Sequence, residues 1–118
     1  MNTLVIGASE NTDRYSNMAI RSLRSHGLPV IALGLKSGRV LDVDILTGTP
    51  VFSDVDTVTL YVGPERLRPL HAYIADLHPR RVIFNPGTED ADFASDLKRK
   101  GIEVQEACTL VMLSTGQY

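Results

Sequence analysis

Apolar runs of strand length alternate along the chain with amphipathic runs of helix length. Thr3-Leu4-Val5-Ile6-Gly7 reads as a buried first strand. Ser16 to His26 reads as a helix, with Met18, Ile20 and Leu23 expected on its inner side and Gly27 as its stop. Pro29-Val30-Ile31-Ala32-Leu33-Gly34 reads as a second strand. Lys36 to Thr49 is rich in turn formers, and a short apolar run follows at Pro50-Val51-Phe52. Thr57 to Val62 is another strand, ended by Gly63-Pro64. A helix is expected from about Arg68 to Leu77, with Pro69 tolerated in its first turn, where a missing N–H has no bond to lose. Arg81-Val82-Ile83-Phe84 is a strand, Asp90 to Lys100 a helix closed by Gly101, and Ile102-Glu103-Val104 a last short strand. Cys108 to Leu113 fits either a helical turn or an extended apolar cover.

Strands that are apolar throughout must be covered on both faces. Their alternation with helices implies parallel pairing through right-handed crossovers. The expected fold is a single Rossmann-like α/β domain over residues 1–118, with a mainly parallel sheet of about five strands and helices on both faces. Phe52 to Thr57 is too short for a crossover helix, so irregularity is expected there. In open sheets of this kind ligands bind beyond the carboxyl ends of the strands. Those ends carry Gly7-Ala8-Ser9, Gly34, Gly63-Pro64 and Asn85-Pro86-Gly87.

Composition narrows the function. The 118 residues supply one core, and 43% hydrophobic with 22% charged residues is ordinary for a globular domain. A net charge of −2 gives no general attraction to nucleic acid or to an anionic membrane, so any anion site must be local. Cys108 is the one cysteine; no intrachain disulfide is possible, which suits a reducing, cytoplasmic setting. No apolar run reaches the roughly 18 residues of a membrane span. Met1-Asn2-Thr3 leads straight into a strand, without the basic and long apolar regions of a signal peptide.

The candidate chemistry is anion binding. Gly7-Ala8-Ser9 lies between the first strand and the first helix, where free backbone N–H groups and the positive helix end favour phosphate. The first helix has no acid from Arg14 through Leu28, with Arg14 just before it and Arg21 inside it. The later helix begins with Glu89, Asp90 and Asp92, which already complement its dipole. The loop is not GxGxxG, since Ser9 holds the second glycine position. NAD-binding domains place an acid after the second strand to hold the ribose. Here Gly34-Leu35-Lys36 puts a lysine there, favouring an extra ribose phosphate as in coenzyme A or NADP. Little points to catalysis. His26 complements a helix end, and His71 and His78 are read as surface residues of one helix, roughly 10 Å apart along its axis. Asp42 and Asp44 lack a histidine partner, Lys98-Arg99-Lys100 reads as a solvated helix end, and Cys108 lacks metal-ligand spacing.

The ordered segments resemble the small CoA-binding proteins of the succinyl-CoA synthetase-like CoA-binding domain family. Val5-Ile6-Gly7-Ala8-Ser9 with Asp13-Arg14-Tyr15-Ser16-Asn17 carries the first part of the likeness. His26 to Gly34 with Lys36, then Val62-Gly63-Pro64-Glu65, carry the next. Phe84-Asn85-Pro86-Gly87, Lys100-Gly101-Ile102-Glu103-Val104 and Ala107-Cys108-Thr109 complete it. The resemblance implies that Gly7, Ala8, Ser9, Arg14 and Asn17 face the CoA diphosphate. It places Lys36 near the ribose phosphate, and Gly34, Leu35, Val62, Gly63 and Pro64 around the adenine and upper pantetheine. Asn85, Pro86 and Gly87 would line the route of the arm. Gly34-Leu35 departs from the family's usual Asn-Pro or Thr-Pro pair. The succinyl-CoA synthetase α-subunit adds a second domain with a phosphorylated histidine; with one domain expected over residues 1–118, the resemblance implies a stand-alone CoA or acyl-CoA binding protein, not a ligase or other enzyme. A protein partner that needs either ligand is compatible with this. The competing expectations are an NADP-binding oxidoreductase-like module and a CoA-linked redox or transfer subunit using Cys108.

Overall fold

The first strand, β1 (Asn2–Ile6), lies at the centre of the sheet, where its residues are covered from both sides. The computed structural model describes every residue from Met1 to Tyr118. After β1 come α1 (Tyr15–Ser25), β2 (Val30–Leu33), β3 (Gly38–Val40), β4 (Val43–Leu46) and β5 (Val55–Leu60). Then follow α2 (Pro64–Leu67), a 3₁₀ turn (Arg68–Leu70), α3 (His71–Asp76), β6 (Arg81–Phe84), α4 (Ala91–Arg99), β7 (Glu103–Glu106) and α5 (Thr109–Ser114). The sheet order is β3-β4-β2-β1-β5-β6-β7.

Strand periodicity divides the core in two. Leu4 and Ile6 point into a cluster with Val58, Leu60, Phe84, Phe93 and Leu97, under α2, α3 and α4. Val5 points the other way, to Ile20, Leu23, Ala32, Ile45 and Leu113, under α1 and α5. Helices therefore cover both faces, as the apolar strands require.

Five strands, β2-β1-β5-β6-β7, pair in parallel as expected. The sheet nevertheless has seven strands, because the turn-rich stretch after Lys36 forms an antiparallel hairpin, β3–β4, docked in parallel on β2. Val40, Val43 and Ile45 are buried while Arg39 and Asp44 face out, which is strand alternation in very short segments. The loop is Leu41-Asp42, with Leu41 at φ 55°, and it lacks the Asn-Gly type of signature that marks such turns. The chain then passes from β4 to β5 without a helix, so the expected irregularity is real.

Two helices also differ from expectation. Met18 is 38% exposed, because two helical steps of about 100° turn it away from Ile20. The inner face of α1 is Ser16, Asn17, Ala19, Ile20 and Leu23. Helical structure after β5 starts at Pro64, not Arg68. Pro69 has no N–H to continue the ladder, so the chain tightens to 3₁₀ and restarts at His71. α4 begins where expected, with the Asp90 side chain accepting the Phe93 N–H, and Gly101 at φ 79° ends it.

Candidate ligand cleft

The chain leaves β1 with β2 on one side and β5 on the other, a topological switch point at the carboxyl edge of the sheet. A cleft of about 980 Å³ opens there, lined by the segments that follow β1, β2, β4, β5 and β6. Four inter-strand spacings make it roughly 19 Å long. Its floor is backbone packed on backbone. Gly7 has φ 97°, and a Cβ there would lie 2.9 Å from Val62 Cγ2 and 3.0 Å from the Tyr61 carbonyl oxygen. A Cβ at Gly34 would lie 2.4 Å from the Ala8 carbonyl oxygen. Both positions need glycine for close approach.

The free donors differ from those expected. The N–H groups of Gly7 and Ala8 both donate to the Leu33 carbonyl, at 2.9 and 2.8 Å, and Ala8 is buried. They hold β1 to β2 and are not available to phosphate. Among the residues lining the cleft beside α1, Ser9, Glu10, Tyr15 and Ser16 have N–H groups with no hydrogen-bond partner. Arg14 caps α1 without a side-chain hydrogen bond, and no acid lies in the first turn. This end of α1 therefore keeps its partial positive charge, whereas Asp90 occupies the corresponding end of α4. Side chains set the loop. Ser9 Oγ accepts the Asn11 N–H at 3.0 Å, and Asn11 Oδ1 accepts the Asp13 N–H at 2.9 Å. Asn17 Nδ2 donates to the Ser9 carbonyl at 2.9 Å while its Oδ1 accepts from Arg21.

Charge is distributed unevenly. Arg24, Arg39, Arg80 and Arg99 are each paired with an aspartate, so Asp42 and Asp44 are surface ion-pair partners. Arg81 is buried and bonded to Thr57, Gln105 and Tyr118. Arg14, Lys36 and Arg66 line the cleft and make no ion pair. Glu10 and Asp13 also line it. Glu10 is partly engaged: its Oε2 accepts the Arg39 N–H at 2.9 Å, and its carboxyl occupies the space beside Gly38. The sequence reading missed Arg66, Glu10 and Asp13. Placing the helix start at Pro64 would have put Arg66 beside the strand end.

Gly7, Ala8, Ser9, Arg14, Gly34, Leu35, Lys36, Val62, Gly63, Pro86 and Gly87 all line the cleft. Tyr15 and Leu35 are exposed there, at 69% and 83%. Asn17, Pro64 and Asn85 do not line it. Asn17 is buried beneath the loop, and Pro64 opens α2. Asn85 turns inward: Nδ2 donates to Thr59 Oγ1 and to the Leu60 carbonyl, and Oδ1 accepts the Thr109 N–H, at 2.7, 2.9 and 2.9 Å. It ties β5, β6 and α5 together. The Tyr61 hydroxyl is enclosed nearby without a hydrogen bond, and burial pushes its phenol up to about 12, against the pull of the Thr109 and Thr59 hydroxyls.

The remaining candidates gather into no site. His71 is not a plain surface residue: its ring stacks on Phe93 at 3.7 Å and its Nε2 is enclosed. Burial lowers its pKa, opposed by Asp90, whose Oδ2 lies 3.9 Å away. His78 has left the helix with φ 50°, and a His26 ring nitrogen lies 2.7 Å from the Ser22 carbonyl oxygen. Cys108 is half-buried at the start of α5. No group of three or more His, Cys, Asp or Glu side chains could hold a metal ion. No helix is long and apolar enough to cross a membrane.

A family model described as a CoA binding domain matches residues 1–114. The chain belongs to this CoA-binding domain family. A crystal structure described as an uncharacterized protein is 46% identical, with a TM-score of 0.96 over 99% of this chain and 97% of that one. A structure from Thermus thermophilus, cell-free ID.343, is 21% identical, with a TM-score of 0.86 over 99% of this chain and 90% of the other. An oxidoreductase from Bacillus cereus shares the fold more loosely, at 14% identity and a TM-score of 0.56, over 89% of this chain and 34% of that one. A search of curated proteins gave no match.

Proposed function

We propose that this CoA-binding domain binds coenzyme A or an acyl-CoA in the cleft and acts by binding, without turnover of its own. The carrying observation is the α1 start: unpaired N–H groups, no acid in the first turn and an unpaired Arg14, all on the cleft. A diphosphate there accepts from the Tyr15 and Ser16 N–H groups and from Ser9. Lys36 lies towards β2 and β4, on the side suited to the ribose phosphate. Exposed Leu35 and Tyr15 offer apolar cover to the adenine end. Val62, Gly63, Pro86 and Gly87 floor the path of the arm over β5 and β6. The cleft volume sits at the upper end of ordinary small-ligand sites, roughly 300–1,000 Å³, as a long, folded ligand needs.

Calorimetric titration with CoA, dephospho-CoA, NADP and NAD tests the reading. CoA should bind tightest, with dephospho-CoA weaker. Tighter binding of NADP than of CoA favours an oxidoreductase-like module instead, and equal binding of NAD and CoA removes the role given to Lys36. Native mass spectrometry of protein purified from cells should show a retained CoA species.

A further inference from the structure

One acid sits inside a cleft otherwise furnished for anions. Glu10 follows the Gly7-Ala8-Ser9 loop, yet its side chain reaches across the end of β2 to the start of β3. Its Oε2 accepts the Arg39 N–H at 2.9 Å. A Cβ at Gly38 would stand 2.8 Å from its Oε1 and 2.7 Å from its Cγ, against the carboxyl carbon. The carboxylate therefore rests in a cradle that exists because residue 38 has no side chain. Lys36 and Ser37 line the cleft immediately before Gly38, and their N–H groups have no hydrogen-bond partner. Successive backbone N–H groups of a turn form a concavity that suits an anion, and the lysine adds a positive charge. Glu10 lines the cleft while Gly38 and Arg39 do not, as befits a cradle already filled.

We propose that this cradle is the subsite of the ribose phosphate, that the Glu10 carboxylate stands in for that phosphate in the empty cleft, and that the ligand binds by displacing it. This rests on the CoA reading of the cleft. A carboxylate and a phosphate monoester make the same demand, because both accept backbone N–H groups through anionic oxygens. The two cannot share the cradle, since like charges in contact repel. Glu10 is free to yield, being an exposed side chain held through one side-chain hydrogen bond. The ribose phosphate gains the cradle only by expelling a competing anion, so Glu10 reduces the advantage of CoA over dephospho-CoA.

The readout is the ratio of CoA to dephospho-CoA affinity, which isolates the ribose phosphate from the rest of the ligand. It is measured by calorimetry for the wild type, Glu10→Ala, the double variant Glu10→Ala with Gly38→Ala, and Asp44→Asn. Removing the internal anion should raise the ratio about fivefold in Glu10→Ala, the upper range for an exposed charge pair. Gly38 has no positive φ, so alanine suits its backbone, and the group its Cβ would meet is the flexible end of Glu10. The added methyl fills the cradle, so the double variant should return to the wild-type ratio or below it. Asp44 pairs with the Arg39 side chain on the outer face of the hairpin. Asp44→Asn removes a negative charge without touching the cradle and should leave the ratio unchanged. Equal gains for both ligands in Glu10→Ala would confine Glu10 to repelling the diphosphate and overturn the proposal. An unchanged or lower ratio there overturns it as well, the latter marking a merely structural role. So does a double variant that keeps the raised ratio, or the same rise in Asp44→Asn. If neither the wild type nor Glu10→Ala binds CoA or dephospho-CoA, the reading of the cleft itself fails and this inference with it.

Discussion

At the scale of single residues, the cleft separates groups that shape it from groups that face a ligand. Ser9 is the informative position. Its Oγ already accepts the Asn11 N–H, so Ser9→Asp keeps an acceptor in place while adding a negative charge beside the proposed diphosphate. Charge-assisted hydrogen bonds are worth roughly 1.5–3 kcal/mol, so CoA should bind about tenfold or more weakly to a variant with unchanged circular dichroism. Retained affinity would move the diphosphate away from this loop. Lys36→Ala should cost less, because an exposed lysine is screened, and added salt should bring the wild type towards it. Gly34→Ala belongs to the other class. Its Cβ would meet the Ala8 carbonyl oxygen at 2.4 Å, so the fold itself should lose on the order of 1–3 kcal/mol in urea unfolding. An unchanged midpoint would contradict the close approach of β2 to the β1 loop.

At the scale of elements, two polar side chains bind neighbouring segments together. Asn85 makes its hydrogen bonds to Thr59, Leu60 and Thr109, all in buried surroundings. Asn85→Ala leaves the Thr109 N–H without that acceptor, and should cost about 3 kcal/mol. A loss below about 1 kcal/mol would mean that α5 is held by other contacts. His71 joins α3 to α4 through its stack on Phe93. Its pKa in the folded protein lies below the ordinary 6.5, chiefly from burial. The unfolded chain therefore takes up the proton first. This contribution to stability is whole above pH 6.5 and is lost as pH falls from there through the lowered folded value. His71→Phe keeps the stack and removes the proton site. Its stability should fall less than the wild type's between pH 7.5 and 5.5, read by urea unfolding at each pH. Parallel losses would exclude His71 as a contributor.

At the scale of the whole molecule, ligand and fold are linked. A ligand that binds only the folded chain adds about 2.7 kcal/mol at a hundred times its Kd. For a domain of this size that is on the order of 10 °C in Tm. CoA at saturating concentration should raise Tm by about that amount, and NAD at the same concentration by much less. The cleft belongs to the assembly of strand ends rather than to any one element, because segments following five strands line it. Agents that loosen sheet packing should weaken CoA and lower Tm together.

The sequence by itself determined the five parallel strands and the two longer helices, α1 and α4. β1, β2, β5 and β6 are apolar enough to demand cover on both faces, whereas the edge strand β7 is Glu103-Val104-Gln105-Glu106 and was marked by its place after the Gly101 stop; each long helix carries its own start or stop. It also determined the acid-free start of α1, a property of consecutive residues. The hairpin β3–β4 was not legible, because β3 has only three residues, both strands alternate buried and exposed positions within a turn-rich stretch, and the Leu41-Asp42 loop lacks turn chemistry. Only the tertiary structure decided which N–H groups are free: Gly7 and Ala8 spend theirs on Leu33, a partner fixed by strand pairing. It likewise turned Asn85 inward, packed His71 on Phe93 and brought Arg66 to the cleft beside Pro86 and Gly87, roughly twenty residues further along the chain. Hydrophobic periodicity is local and survives in the sequence, whereas the pairing of donors and charges depends on which segments the fold makes neighbours.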